Sequence, residues 1–174
     1  MIRKGVTSTP LVRFLSGSDN EEERQKIIGS SWLLSIAVTL VILILFIPIY
    51  SLFGEAIDDK GFGLLFKFYP VLAIVILPLN TGLSILQADR KFGSILSLRF
   101  VNMFFFFVFL ILNFFWLKLS IVNIVWIHII AHLLASLYAM LRKWSGVIYL
   151  LKATREALKT QLSFGKYSLG TLIG

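Results

Sequence analysis

The chain has 174 residues, of which 57% are hydrophobic and only 15% are charged, and its mean hydropathy is +0.87. Soluble domains carry about 25% charged residues, so this composition excludes an ordinary soluble domain. A net charge of +8 would suggest nucleic-acid binding in a soluble chain. Here the cations flank long apolar runs, as membrane topology requires, and no nucleic-acid partner is expected. The lack of cysteine excludes disulfides, thiolate metal sites and cysteine nucleophiles.

The first segment, residues 1–30, is predicted to be a cytoplasmic N-terminal connector. It is polar and mixed in charge, without the apolar core and cleavage site of a signal peptide. Two interpretations stay open, a solvated segment or a short helix whose apolar side chains pack against the membrane face. Ser18 or Asp19 is expected to cap a helix that begins at Glu21, because carboxylates in a first turn complement the helix N-terminus.

Four apolar runs are each close to the roughly 20 residues that a helix needs to cross a bilayer. Together they make residues 31–141 the transmembrane region of an all-α, polytopic membrane protein. In the second run Pro78 lies in mid-membrane and predicts a kink. The kink is either a broken helix at a transport site or a packing kink at a helix contact. The predicted transmembrane helices are at about 31–53, 66–87, 95–117 and 121–141.

Ionisable side chains inside the predicted spans are the first functional candidates. His128 and His132 of the fourth span are spaced i, i+4 and share a helical face. This spacing permits a proton relay or a metal pair, although hydrogen bonding inside the bundle also explains it. No carboxylate or H-E-x-x-H motif accompanies the pair, so no metal is predicted. Arg99 lies one turn into the third span, where it either snorkels to the headgroups or faces a central cavity.

The segment after the fourth span, residues 142–164, is predicted to be a cytoplasmic amphipathic helix. Its apolar and basic faces are typical of a helix that lies on anionic headgroups or links two bundles. Residues 165–174 look like the start of a truncated further transmembrane helix. Of the 17 Lys and Arg residues, all but Lys60, Lys67 and Lys118 fall on the side of the termini. The positive-inside rule therefore places both termini in the cytoplasm.

Three stretches of the chain resemble one transporter family. Residues 10–28, PLVRFLSGSDNEEERQKII, resemble the cytoplasmic connector before the third helix of polysaccharide and oligosaccharide (O-antigen-type) flippases. Residues 84–92, SILQADRKF, are similar to the loop between the fourth and fifth helices of these flippases, and residues 162–174, LSFGKYSLGTLIG, to the entry into the seventh. The family belongs to the multidrug/oligosaccharidyl-lipid/polysaccharide exporter superfamily, which also contains the multidrug/toxin-extrusion (MATE) transporters.

The resemblance implies a partial, MATE-like six-helix lobe that holds helices three to six of a larger transporter. Members of the family move undecaprenyl-pyrophosphate-linked sugar units across the bacterial cytoplasmic (inner) membrane for surface polysaccharide and lipopolysaccharide biosynthesis. The chain is therefore expected to be a fragment of the N-terminal lobe, completed by the missing helices or by a partner chain. Its other expected partners are the lipid-linked oligosaccharide and membrane lipids. No cofactor, catalytic residue or enzymatic activity is expected.

Candidate substrate contacts follow from the chemistry of this substrate. A pyrophosphate is anionic, so its passage through hydrocarbon requires cations that replace its hydration. The sugar hydroxyls require hydrogen-bonding side chains such as amides. The candidates are Arg99, Arg90 and Lys91 for the pyrophosphate, and Asn80, Asn102 and Asn113 for the sugar hydroxyls.

Two alternative functions stay open. A multidrug/cation antiporter of the same superfamily would use carboxylates inside the membrane, and none of the four predicted spans contains Asp or Glu. A non-transporting membrane scaffold subunit would need none of the contacts above. The sequence that flanks this chain in its gene would distinguish these functions, since a second six-helix lobe there would favour transport.

Overall fold

The computed structural model describes residues 4–53, 60–118 and 120–173, and every regular element in these ranges is helical. The all-α prediction is therefore confirmed. Parts of the predicted connector and of the predicted terminal segment, residues 1–3 and 174, lie outside the described residues. The elements are a π-helical stretch Lys4–Ser8, α1 Thr9–Ser16, α2 Glu21–Phe53, α3 Lys60–Val75, α4 Leu77–Ala88, α5 Phe92–Leu112, a π-helical stretch Asn113–Leu117, α6 Ile121–Leu141, a 3-10 turn Val147–Lys152 and α7 Arg155–Ile173.

Helices α2, α5 and α6 are long and apolar enough to cross a membrane, and the bent pair α3–α4 makes a fourth span if it is counted as one. This is consistent with the predicted multi-pass membrane protein. The helices differ in how far they are covered by the rest of the chain. In the most apolar stretch of α2, 50% of the residues are buried, against 6% in α5. Helix α5 is therefore peripheral, and its apolar surface faces outward.

Helix α2 begins at Glu21, as predicted, and thus well before the apolar run at residue 31. The cap differs from the prediction of Ser18 or Asp19. The side-chain Oδ1 of Asn20 accepts a hydrogen bond from the Glu22 backbone N–H at 2.9 Å, which satisfies one of the unpaired donors of the first turn. The polar first turns extend the helix beyond the stretch that hydropathy alone assigns to the membrane.

The predicted kink in the second span is confirmed. Helix α3 ends at Val75, α4 begins at Leu77, and their axes differ by 45°. Pro78 lies in the first turn of α4, where its missing N–H costs no helical hydrogen bond but its ring prevents a continuous helix. The hydroxyl of Ser136 on α6 donates a hydrogen bond of 2.6 Å to the Val75 carbonyl oxygen. A neighbouring helix thus satisfies the backbone at the bend.

One end of the bundle, called the basic end below, is formed by α1, the beginning of α2, the α4–α5 turn and the 3-10 turn. Leu11 and Leu15 of α1 are each only 1% exposed, and each buried leucine contributes about 1.5–3 kcal/mol. Helix α1 therefore packs into the protein through these leucines, whereas residues 19–23 of the same segment are exposed. The buried core at this end comprises Leu11, Leu15, Ile27, Ile28, Trp32, Leu77 and Ile85.

Helix α2 is the element to which the distant C-terminal part of the chain is attached. The indole Nε1 of Trp32 donates to the Ser145 carbonyl oxygen at 2.8 Å. The hydroxyl of Ser30 accepts from the Thr154 N–H at 3.1 Å and donates to the Thr154 carbonyl at 3.3 Å. Because these side chains are buried or half-buried, each bond satisfies groups that water does not reach.

The segment after α6 differs from the single amphipathic helix that was expected. Gly146 adopts a left-handed conformation with φ 63° and turns the chain into the 3-10 turn. Ala153 is extended, and the Thr154 hydroxyl then accepts from the Ala157 N–H at 3.4 Å at the start of α7. The capping tendency of threonine explains the break. Helix α7 runs from Arg155 to Ile173 and continues through residue 165 without interruption, and the predicted start of a further transmembrane helix at residue 165 stays a prediction.

Gly29 of α2 provides a test of this packing. A Cβ at this position would overlap the Tyr149 carbonyl oxygen and lie 2.9 Å from the Ala153 nitrogen, both backbone atoms. We expect Gly29→Ala to lower the free energy of unfolding by about 1–3 kcal/mol through overpacking. Thermal unfolding of the purified protein in detergent measures the change.

The matched control is Gly93→Ala in the first turn of α5, where nothing lies within 4 Å of an added Cβ. This substitution is expected to leave stability unchanged or raise it by up to about 1 kcal/mol, since alanine favours the helix. Equal stability of the two variants would contradict the close approach of α2 and the 3-10 turn.

Candidate functional site

A small polar cavity lies where the beginning of the chain, α2 and α4 meet, beside the bend of the second span. Its volume of about 10 Å³ is room for about one water molecule. The hydroxyl of Ser31 is buried and has no partner among the residues that the structure describes. We call the lining polar side chains the polar seam; they are Thr7, Ser8, Ser31, Ser35, Asn80, Thr81 and Ser84.

The polar seam follows from the spacing of small polar residues in two apolar helices. Ser31 and Ser35 are spaced i, i+4 on α2, as are Asn80 and Ser84 on α4, so each pair shares a face. Small side chains let the two helices approach closely within a membrane. The Ser84 hydroxyl donates to the Asn80 backbone carbonyl at 3.0 Å. Asn80 is the one predicted substrate contact that lies in the seam.

Arg90 and Lys91 lie in the α4–α5 turn at the basic end, and both are exposed. Lys91 Nζ is 3.1 Å from Asp89 Oδ2, and Arg24 Nη2 donates to Asp89 Oδ1 at 2.5 Å. Arg24 Nη1 also donates to the Leu15 carbonyl at 3.0 Å. The Arg24 guanidinium therefore links the end of α1 and the start of α2 to the α4–α5 turn, which carries the candidate cations Arg90 and Lys91.

Arg99 and Asn102 of α5 and Asn113, the first residue of the π-helical stretch after it, fall on roughly the same side, because spacings of three and eleven residues are within about 60° of whole turns. Arg99 is exposed, whereas the Oδ1 atom of Asn102 is buried without a partner in the described part of the chain. Asn113 is buried where α5 ends. At 1.5 Å per residue, about 21 Å separates Arg99 from Asn113 along the helix. Arg99 and Asn113 are therefore too far apart to contact the same small chemical group of a substrate.

His128 and His132 face each other on α6, with ring centroids 4.4 Å apart. The Nδ1 atom of His132 lies 3.0 Å from the His128 backbone carbonyl oxygen. Phe106 of α5 contacts the His128 ring edge-on at 5.3 Å. The proton relay stays a prediction, and the described residues contain no group of three or more side chains that could hold a metal ion.

Several polar residues of these sites were missed in the sequence. The missed serines lie inside apolar runs of α2, α4 and α6. A polar residue at every fourth position of such a run indicates a polar helix face. Gln161 of α7, whose Nε2 atom donates to the Ile27 backbone carbonyl oxygen at 2.9 Å, has no such pattern around it. Among the predicted substrate contacts only Asn80, two residues after Pro78, lies in the seam.

Comparison of the chain with protein-family models, curated proteins and solved structures finds no match. The flippase resemblance of residues 10–28, 84–92 and 162–174 therefore stays a prediction. What the structure supports by itself is an all-α chain with three or four helices able to cross a membrane.

The Asp89 carboxyl gives a prediction for the dependence of stability on pH. Burial opposes its ionisation, but hydrogen bonds from Arg24 and Lys91 and their charges outweigh burial and hold the pKa below the ordinary 3.8. The stabilisation is therefore fully present above pH 3.8 and is lost as the pH falls through the lowered pKa. Asp89→Asn should lower the free energy of unfolding near neutral pH by about 1–2 kcal/mol.

Thermal unfolding of both proteins between about pH 6 and pH 2 measures this difference. The stability gap between wild type and Asp89→Asn should narrow at the acid end, because the wild-type carboxyl becomes protonated there. Glu22→Gln is the control, since Glu22 pairs with Lys26 on an exposed surface and such pairs contribute little. A gap that is unchanged with pH would mean that the Asp89 carboxyl has the same pKa in the folded and unfolded protein, so that Arg24 and Lys91 do not stabilise its charge.

Proposed function

We propose that this chain is part of a lipid-linked oligosaccharide flippase, which moves polyprenyl-pyrophosphate-linked sugar units across the bacterial cytoplasmic membrane for surface polysaccharide biosynthesis. The observation that carries the proposal is the polar seam beside the 45° bend of a membrane span. Broken spans that line a polar site near the bilayer midplane are a recurrent feature of transporters. Polar groups inside a membrane are costly, so their grouping at one bend favours a functional role.

The three chemical parts of the proposed substrate each have a counterpart in the chain. Hydroxyl and amide groups of the polar seam are suited to sugar hydroxyls. Exposed guanidinium groups of Arg90 and Arg99 are suited to a pyrophosphate, because they offer several donors in a fixed geometry. A polyprenyl tail would remain in lipid along the outward face of α5, where Phe100, Phe104 and Phe107 are exposed.

Within this proposal the candidate cations differ in how freely their charge is available to an anionic substrate. Lys91 shares Asp89 with Arg24, so its charge is partly compensated. Arg99 lies on a membrane helix and is exposed, which fits either snorkelling or contact with an anion that approaches along α5. We place the basic end on the cytoplasmic side, as the positive-inside rule requires. The pyrophosphate would then bind at the cytoplasmic surface before translocation.

Deletion of the encoding gene, followed by complementation with variants, tests the proposal. Deletion should abolish surface polysaccharide and cause the lipid-linked oligosaccharide to accumulate inside the cell. Loss of one charged hydrogen bond costs about 1.5–3 kcal/mol, which corresponds to roughly 10-fold or more. Arg99→Ala is therefore expected to lower export at least about 10-fold at a normal protein level, and Asn80→Ala is expected to lower it as well.

The matched controls are Arg142→Ala, an exposed arginine at the basic end, and Asn123→Ala, an asparagine in the first turn of α6. Both should support normal export. Unchanged surface polysaccharide in the deletion strain would reject the flippase assignment. Hypersensitivity to cationic drugs would favour the antiporter, and loss of a membrane complex without any transport defect would favour the scaffold subunit.

A further inference from the structure

The 3-10 turn after α6 has an inner and an outer face. Its inner face packs against the buried core of the basic end through Val147, Tyr149 and Leu150. Ile148 and Leu151 are instead 62% and 96% exposed. A 3-10 helix has about three residues per turn, so side chains three positions apart lie one above the other. Ile148 and Leu151 therefore form one exposed row, which we call the apolar edge.

Two membrane helices fix the depth of this turn. Helix α6, which is able to cross a membrane, ends at Leu141, and only residues 142–146 separate it from the turn. On α2, a Cβ at Gly29 would overlap the Tyr149 carbonyl oxygen, and the Trp32 indole binds the backbone just before the turn. The apolar run of α2 begins at residue 31. The turn therefore lies level with the points at which both helices leave the hydrocarbon region.

The charges beside the apolar edge favour an anionic partner. Lys143 and Lys152 are exposed on either side of the turn, and the sequence has no Asp or Glu from residue 90 to residue 155. Lys152 Nζ donates to the side-chain oxygen of Gln25, which is a neutral partner. The Glu22 carboxylate interacts with the charge of Lys152, but its ion pair is with Lys26 at 2.7 Å.

We propose that the 3-10 turn anchors the protein in the membrane interface at the basic end. Ile148 and Leu151 insert below the headgroups, and Lys143 and Lys152 bind the phosphates of anionic lipids such as phosphatidylglycerol. Apolar side chains bordered by lysines are typical of segments that lie in this interface, and the depth of the turn makes lipid its nearest partner. The proposal rests on the membrane spans and does not depend on the flippase assignment.

Spin labels on introduced cysteines measure the depth of the apolar edge, since the chain has no cysteine of its own. In nanodiscs that contain phosphatidylglycerol, oxygen should reach labels at Ile148→Cys and Leu151→Cys more readily than a water-soluble nickel complex does. A label at Phe107→Cys, on the outward face of α5, should give the same order. Glu21→Cys is the control for the aqueous side, because its side chain is 73% exposed and lies about 12 Å before Gly29 along α2. The nickel complex should reach this label more readily.

Contact quenching tests the two lysines. A fluorophore on Leu151→Cys should be quenched more strongly by brominated phosphatidylglycerol than by brominated phosphatidylcholine. Adding Lys143→Gln or Lys152→Gln should lower this preference about 5-fold, because each removes one cation from an anionic surface. Lys26→Gln is the matched control, a cation at the same end whose charge is compensated by Glu22. It should change the preference by less than about 2-fold. The melting temperature of each variant verifies its folding.

Three results in a folded protein would overturn the proposal. Labels at Ile148→Cys and Leu151→Cys that the nickel complex reaches more readily than oxygen would place the turn in water. Exclusion of both reagents would mean that a protein surface covers the apolar edge. Equal quenching by the two brominated lipids, or an equal loss of preference in Lys26→Gln and Lys152→Gln, would show that the two lysines do not bind anionic headgroups.

Discussion

The close approach of the 3-10 turn to α2 at Gly29 is the constraint on which the basic end depends. Only a residue without a side chain lets the backbone of Tyr149 reach α2 at this point. Trp32 and Ser30, which both follow Gly29 on the helix, then bind backbone groups of Ser145 and Thr154. The chain after α6 is thereby held along α2 and directed toward α7.

Because it is central, α2 contributes to two polar cavities, at successive turns along its length. Ser31 and Ser35 line the polar seam with α4, and Glu23 and Ile27 line a second cavity with α7. The ion pair between Arg24 and Asp89 lies at the same end and fixes the turn between α4 and α5. Movement of α4 at its bend would therefore alter the seam while the interface of α2 with α7 stays in place.

Hydropathy and proline chemistry predicted the spans and the bend, because both are local properties of the sequence. The burial of α1 could not be predicted in this way, since the spacing of Leu11 and Leu15 suits a membrane face and a protein core equally. The site was only partly predicted. Asn80 lies in the seam, but the spacing of Arg99 and Asn113 on α5 does not say which neighbours cover that helix. Gln161 was missed because its partner, a backbone carbonyl of α2, is 134 residues away.

Cross-linking of the polar seam is the measurement that tests the central claim most directly. The chain has no cysteine, so the pair Ser31→Cys and Ser84→Cys can be introduced without background. We predict that mild oxidation links α2 to α4 and stops polysaccharide export, and that reduction restores it. A linked protein that continues to export would show that the seam does not open during transport. Failure of the pair to cross-link in a folded protein would contradict the packing of α2 against α4.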